Sequence, residues 1–312
     1  MKLAISIGDL NGIGIEIALK AHKEVAKICQ PTYLIDDSML QQASKLLKQD
    51  IPKDFKTQGI DLKKDFTIKP GMINKESGQY AYDSFLEAIL LAESKEVDAI
   101  VTLPIHKAAW EKANIPYKGH TDMLASFFQK EAIMMIGCPK LFVALFTHHI
   151  ALKEVPSKIE QKALTDFMLS LYHEIKEEKI GVLGLNPHAG DKGLMGDEET
   201  TIQKAIDTVN ATLKQEVFVG PLVPDTAFTP AMRKEIQYYV CMYHDQGLIP
   251  TKALYFDEGI NVSLNLPIIR TSVDHGTAFD IAYQDKEPST LSYINAIKEA
   301  IRLGEKRGRL VL

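Results

Sequence analysis

Short apolar runs alternate along this chain with longer stretches in which apolar residues recur at helical spacing. Residues 3–7 are apolar and end on a glycine-rich turn, and 13–28 then carry helical periodicity, so the chain is expected to open strand, turn, helix. Further strands are predicted at 33–35, 98–103, 141–146, 180–185 and 239–242, with 262–264 as another apolar piece, and helices at 82–96, 158–178, 198–214 and 289–307. Strands alternating with helices imply an α/β architecture with helices on both faces of a mostly parallel sheet. Residues 48–80 break the pattern, being polar, lysine-rich and interrupted by Pro52, Gly59, Pro70 and Gly71. That stretch is too long for a bare loop in a compact domain and is expected to hold short strands. No linker marks a boundary, which suits two domains that exchange strands and keep both termini in one.

With 312 residues, 46% of them hydrophobic and 25% charged, the chain can bury a sizeable core in one large or two medium domains. The net charge of -5 is spread rather than blocked, so neither a nucleic acid nor a membrane surface is an expected partner. Cys29, Cys138 and Cys241 are odd in number, far apart and set among apolar residues, which predicts buried thiols rather than a disulfide frame. The apolar start ends at Gly8-Asp9, too early for a signal peptide, and no run approaches a membrane span; a cytoplasmic location is expected.

Polar chemistry concentrates in 239–282, where His244, Asp245, Lys252, Asn261, Arg270 and a His275-Gly276-Thr277 cluster are separated by strand-like pieces. His148 or His149, His188 and His244 each follow a predicted strand, at the edge where open α/β sheets place ligands. One histidine alone is more often structural, but three at one edge point to a metal site with open positions for a substrate oxygen. Of the doublet only one can readily be a ligand, since neighbours on a strand alternate in facing. Lys252, Asn261 and Arg270 read as an anion cradle, Arg forking onto phosphate or carboxylate and Lys adding a point charge. Singly such cations are more often solvated, although the apolar 264–269 is a poor setting for a solvated Arg270. Gly119-His120-Thr121-Asp122, before an apolar helix, suits a bound carboxylate or phosphate as well as it suits a plain helix start with Thr121 as N-cap. Lys107, just after a strand, is either functional or a solvated helix residue. In the turn from Gly8 to Glu16, Gly12 and Gly14 let backbone N–H groups approach an anion. The spacing is not the dinucleotide fingerprint, however, and a tight βα turn is the plainer account. Glycine-rich 190–199 is adequately explained as a capped helix start that can also move on ligand closure.

Five ordered motifs carry a resemblance: Gly8 to Glu16, Gly119-His120-Thr121, Leu185-Asn186-Pro187-His188-Ala189-Gly190, Tyr243-His244-Asp245-Gln246-Gly247, and Arg270-Thr271-Ser272-Val273-Asp274-His275-Gly276-Thr277-Ala278. On them the chain resembles, over essentially its whole length, the 4-hydroxythreonine-4-phosphate dehydrogenase family of pyridoxal 5'-phosphate biosynthesis. The resemblance implies an isocitrate/isopropylmalate-dehydrogenase-like fold of two α/β domains with an active-site cleft between them. These would be 1–130 plus 270–312, containing both termini, and 131–269, carrying the metal ligands and the dimer interface. It further implies a homodimer whose partner subunit completes the active site, NAD (or NADP) as cofactor, a small phosphorylated substrate, and one divalent metal ion. Imidazole ligands favour zinc, with magnesium or cobalt as alternatives.

By motif position the implied metal ligands are His149, His188 and His244, with His149 preferred to His148 through the downstream Lys153-Glu154-Val155 match. The implied substrate-binding residues are His120, Thr121, Lys252, Asn261 and Arg270. Asp274, His275, Gly276, Thr277 and Ala278 fall on the segment that holds the adenosine side of NAD in the wider fold, and Gly12 and Gly14 join them as cofactor-binding candidates. The chain departs from the family in having Leu10-Asn11 for Pro-Ala, Ile15 for Pro, His106 for Asn before Lys107, and His148-His149 for Thr-His. The implied reaction oxidises 4-phosphooxy-L-threonine to a β-keto acid that loses CO2, leaving 3-amino-2-oxopropyl phosphate, with Asp245 or Lys107 taking the proton. Two other expectations stand beside it: a related dehydrogenase of another phosphorylated hydroxy acid such as 4-phosphoerythronate, and a metal-independent acyl-phosphate transferase or binding protein. A substrate panel separates the former, exhaustive chelation the latter.

Overall fold

The first apolar run forms β1 (Lys2–Ser6), buried at every position but its first, as a strand covered on both faces must be. The computed structural model of the chain describes residues 1–60 and 65–308. It divides into two compact units, Met1–Ala132 with the segment from Ile260 onward, and Ile133–Gly259.

In the first unit β1 leads through the glycine turn into α1 (Gly14–Val25), and the chain continues as β2 (Gln30–Leu34), α2 (Asp37–Leu47), β3 (Thr57–Gln58), α3 (Lys75–Glu93), β4 (Ala99–Thr102), α4 (Lys107–Lys112) and α5 (His120–Phe128). Of the short strands expected in 48–80, the described residues hold the two-residue β3 and the first turns of α3, while 61–64 lie outside the described part. α3 starts earlier than its periodicity suggests because Asn74 caps it, its Oδ1 accepting the Ser77 N–H at 2.8 Å.

The second unit runs β5 (Ile133–Cys138), β6 (Leu141–Leu145), α6 (Gln161–Ile175), β7 (Ile180–Leu183), α7 (Glu198–Leu213), β8 (Phe218–Leu222), α8 (Met232–Glu235), β9 (Tyr238–Cys241) and α9 (His244–Tyr255). The chain then returns to the first unit as β10 (Ile260–Leu264), β11 (Arg270–Val273) and α10 (Leu291–Gly308).

Both units are mixed α/β. Strand order in the first is β3-β2-β1-β4-β11-β10, parallel except for β10 against β11, and in the second β5-β6-β9-β7-β8, parallel except for the β5–β6 hairpin. The mostly parallel sheet expected from the alternation is present. Its functional consequence is directional. β1, β4 and β11 run parallel, so the glycine turn, the segment after Thr102 and the segment after Val273 all leave one edge of the first unit's sheet. β6, β9 and β7 do the same for the three histidine-bearing segments of the second. The second unit's core joins Met134, Ile136, Leu141, Val143, Leu183, Tyr239 and Cys241. All three cysteines are free and buried. Among the described residues no helix is long and apolar enough to cross a membrane.

Candidate active site

Arg270 opens β11 and is only 3% exposed. Strand register explains its neighbours. It stands opposite Ser263 on the antiparallel side and Ile100 on the parallel side, so Ser263, Asn261 two residues earlier and Thr102 two residues beyond Ile100 share the face its side chain can reach. The guanidinium donates to Thr102 Oγ1 from Nη2 and Nε (2.7 and 3.2 Å), to Ser263 Oγ and Asn261 Oδ1 from Nη1 (3.1 and 3.4 Å), and to His120 Nδ1 from Nη2 (3.1 Å). Every one of these partners is neutral. Burial lowers Arg270 to about 9, which leaves it charged at neutral pH. The first unit therefore holds a buried cation whose partners carry no opposite charge, a state that an incoming anion relieves.

A guanidinium has no acceptor, so His120 Nδ1 accepts and its ring hydrogen sits on Nε2. Burial, and after it the charge of Arg270, keep the imidazole well below its ordinary range and hence neutral. Its ring stands edge-on to Phe85 and Trp110, with centroids 4.5 and 5.8 Å away. Thr121 is not the N-cap; Gly119 takes that position and Thr121 lies half-buried in the first turn of α5. The exposed Lys107 reaches back to the start of α5, where its Cε would lie at ordinary contact distance, 3.8 Å, from a Cβ on Gly119.

The glycine turn uses its own donors. Asn11 N–H goes to Asp9 Oδ1 (2.9 Å), Gly12 N–H to Asp9 O (3.0 Å) and Ile13 N–H to Thr277 O (3.1 Å). The tight-turn account describes this backbone, and the glycines serve close approach: a Cβ on Gly12 would lie 2.8 Å from Thr277, and one on Gly14 2.9 Å from Ile7 O. Gly12 thereby packs directly on the 274–278 segment. There Gly276 is exposed with nothing within 4 Å of a Cβ, leaving bare backbone that a cofactor can approach, flanked by half-buried Asp274, His275 and Ala278. His106, one of the departures, stacks on Phe279 with centroids 4.8 Å apart. Asn11, another, holds Lys69 N–H (2.8 Å) and Met72 O (2.7 Å) with its amide, tying that segment to the turn. Asp9 is fully buried. Burial raises it to about 6, against the pull of the Asn11 N–H and the Ser77 hydroxyl.

In the second unit His244 opens α9 instead of ending a strand, with Tyr243 at the N-cap. His149, in the loop after β6, has a left-handed backbone with φ 53°. Their rings lie 5.6 Å apart between centroids, and His148 Nδ1 is 3.4 Å from His149 Nδ1. His188 is exposed at the start of a turn in which five successive residues, His188 to Lys192, are left-handed. For a residue with a Cβ this conformation costs roughly 1–2 kcal/mol. Among the described residues no three His, Cys, Asp or Glu side chains converge as a metal site: His149 and His244 are brought together, and His188 is not brought to them. The donor type of the pair, two imidazoles, suits a divalent ion such as zinc. Asp245 is exposed, its Oδ1 3.5 Å from His244 Nδ1. Lys252 lies on α9 with its ammonium 5.4 Å from the Phe256 ring, so of the expected anion cradle it is Asn261 and Arg270 that meet within one unit.

A family model described as pyridoxal phosphate biosynthetic protein PdxA matches residues 27–300. The chain belongs to this family. A 4-hydroxythreonine-4-phosphate dehydrogenase from Sulfurimonas denitrificans is 58% identical over 306 residues, 98% of this chain and 99% of that protein. One from Campylobacter fetus subsp. fetus is 55% identical over 303 residues, 97% of this chain and 98% of that one. A crystal structure of a 4-hydroxythreonine-4-phosphate dehydrogenase from Burkholderia phymatum, 34% identical, superposes with a TM-score of 0.80, covering 97% of this chain and 98% of that one.

Thr102 and Ser263 were not foreseen as partners of Arg270, because only pairing register puts them beside it.

Proposed function

We propose that the chain catalyses NAD-dependent oxidation of 4-phosphooxy-L-threonine, followed by decarboxylation to 3-amino-2-oxopropyl phosphate. The observation that carries this reading is the buried, charged Arg270 whose hydrogen-bond partners among the described residues are all neutral, in a chain 98% of which matches a 4-hydroxythreonine-4-phosphate dehydrogenase. Phosphate and carboxylate are both anions that a guanidinium fork can take. Asn261, His120 and Thr121 would bind beside it, His120 as a neutral, fixed N–H donor. The Asp274 to Ala278 segment, backed by Gly12 and Gly14, would hold NAD (with NADP as the alternative). Held there, NAD would supply the hydride acceptor for the substrate carbon; Lys107 and Asp245 are the candidates to take the hydroxyl proton, and Lys252 adds positive charge. The β-keto acid then breaks its C–C bond to release CO2, and the carbon left behind takes up a proton.

His149, His188 and His244 would hold one divalent ion, zinc by donor type and cobalt or magnesium otherwise. Bound there, it supplies Lewis acidity to the reacting oxygen. Two α/β domains of the isocitrate-dehydrogenase kind, 1–130 plus 270–312 and 131–269, a cytoplasmic homodimer and an active site completed by the partner subunit belong to the same reading. The test is NADH formation from 4-phosphooxy-L-threonine with added zinc. Absence of turnover in folded protein that binds both NAD and zinc would reject it, and turnover of 4-phosphoerythronate in its place would reassign the substrate.

A further inference from the structure

The three histidine-bearing segments of the second unit hang from one buried polar network. Gln246, 8% exposed in the first turn of α9, uses both ends of its amide: Oε1 accepts the Met242 N–H (2.7 Å) and Nε2 donates to Gly184 O (2.7 Å). Met242 O in turn accepts the Thr147 hydroxyl (2.7 Å), two residues before His149. Past Gly184, the chain toward His188 is held by Glu199, whose Oε1 accepts the N–H groups of Leu185 (2.8 Å) and Asn186 (2.7 Å) and whose Oε2 accepts Asn186 Nδ2 (3.0 Å). Burial works against this charge, but those donors outweigh it and hold the carboxyl below its ordinary range. Glycines clear its place: a Cβ on Gly190 would lie 2.5 Å from Glu199 Oε2, and one on Gly184 3.1 Å from Oε1.

The turn beyond is strained. His188 (φ 53°), Ala189 (51°), Asp191 (40°) and Lys192 (57°) all carry a Cβ in left-handed backbone, with Gly190 the exception. Such a run persists only where surrounding contacts over-determine it. The contacts on its N-terminal side include those of Glu199, joined by Glu198, whose Oε2 also accepts Asn186 Nδ2 at 2.7 Å.

We propose that Gln246 and Glu199 are positioning residues which fix the segments carrying His244 and His188 for metal binding. This rests on the reading of those histidines as ligands. Outer groups that orient ligands change metal affinity by ~10- to 100-fold when lost.

The experiment compares zinc affinity, by competition with a chromogenic chelator, in wild type, His188→Ala, Gln246→Glu and Glu199→Gln. Gln246→Glu is isosteric but sets an acceptor against Gly184 O. Glu199→Gln keeps the shape but sets a donor against Asn186 Nδ2. Expected are zinc affinities lowered about 10- to 100-fold, kcat lowered with KM for NAD unchanged, and faster tryptic cleavage after exposed Lys192 in Glu199→Gln. Should Gln246→Glu not fold, Gln246→Ser, which leaves room for a bridging water, takes its place with the same expectation. If His188→Ala retains full zinc affinity, the ligand reading fails. If His188→Ala loses zinc while Gln246 and Glu199 variants bind it within twofold of wild type, the positioning inference fails alone.

Discussion

Arg270 and Asp9 are buried groups of the first unit, and in both burial disfavours the charged form. Arg270 stays charged with neutral hydrogen-bond partners among the described residues, and in the proposed reading an anion meets it. Arg270→Ala removes charge-assisted hydrogen bonds worth about 1.5–3 kcal/mol each, and is expected to raise KM for the phosphorylated substrate by roughly ten- to more than a hundredfold. Inorganic phosphate should raise the melting temperature of wild type and leave that of the variant unmoved; a variant that still responds would remove Arg270 from the anion site. Asp9 sits above its ordinary value, at about 6 instead of 3.8. An acid raised on folding destabilises the fold fully above about pH 6, and the penalty fades as pH falls toward 3.8. Asp9→Asn keeps the acceptor for Asn11 and removes the charge. It is expected to gain on the order of 1–3 kcal/mol at pH 8 and nothing near pH 4, read from urea unfolding at the two pH values. An equal effect at both would show that the gain is not electrostatic.

Among elements, those built on simple periodicity were legible in the sequence: β1, β4, β6, β7, β9, α1, α6, α7 and α10 fall where the apolar pattern puts them. α9 was not, because Gly247 and Pro250 both argue against a helix. Packing overrides them. Gly247 lets α9 approach β6 and β9 so closely that a Cβ would lie 3.0 Å from Cys241 Sγ and Val143. Pro250 removes the helical bond to Gln246 O, and the Thr251 hydroxyl adds a separate one to the neighbouring Gly247 O at 2.8 Å. Gly247→Ala is therefore expected to cost about 1–3 kcal/mol by overpacking, in spite of alanine's better helix propensity. Chemical denaturation checks the sign; a more stable variant would mean that the helix is free to lift off its strands. The left-handed turn after Pro187 was equally hidden, since Ala189 and Lys192 have no preference for positive φ and the groups that hold its approach, Glu198 and Glu199, lie ten and eleven residues beyond His188.

At the scale of the whole molecule, the two kinds of site chemistry separate by unit. Arg270, Asn261, His120 and the 274–278 segment belong to the first, while His149, His188 and His244 belong to the second. That each of these histidines follows a strand could be read from the sequence, whereas the neighbours of Arg270 could not, because β11 comes from far along the chain to pair with β4 and brings β10 on its other side. This separation makes a sharp expectation for the intact protein. His149→Ala removes one imidazole of the pair and should weaken zinc binding by at least tenfold, since a catalytic site has no spare protein ligand. NAD affinity and the phosphate response should survive. Arg270→Ala should do the converse, keeping zinc content while losing the phosphate response. Elemental analysis, NAD titration and thermal melts with phosphate read the three functions separately in each variant. A His149→Ala protein with full zinc, or an Arg270→Ala protein that has lost zinc and kept its phosphate response, would overturn this assignment of the residues.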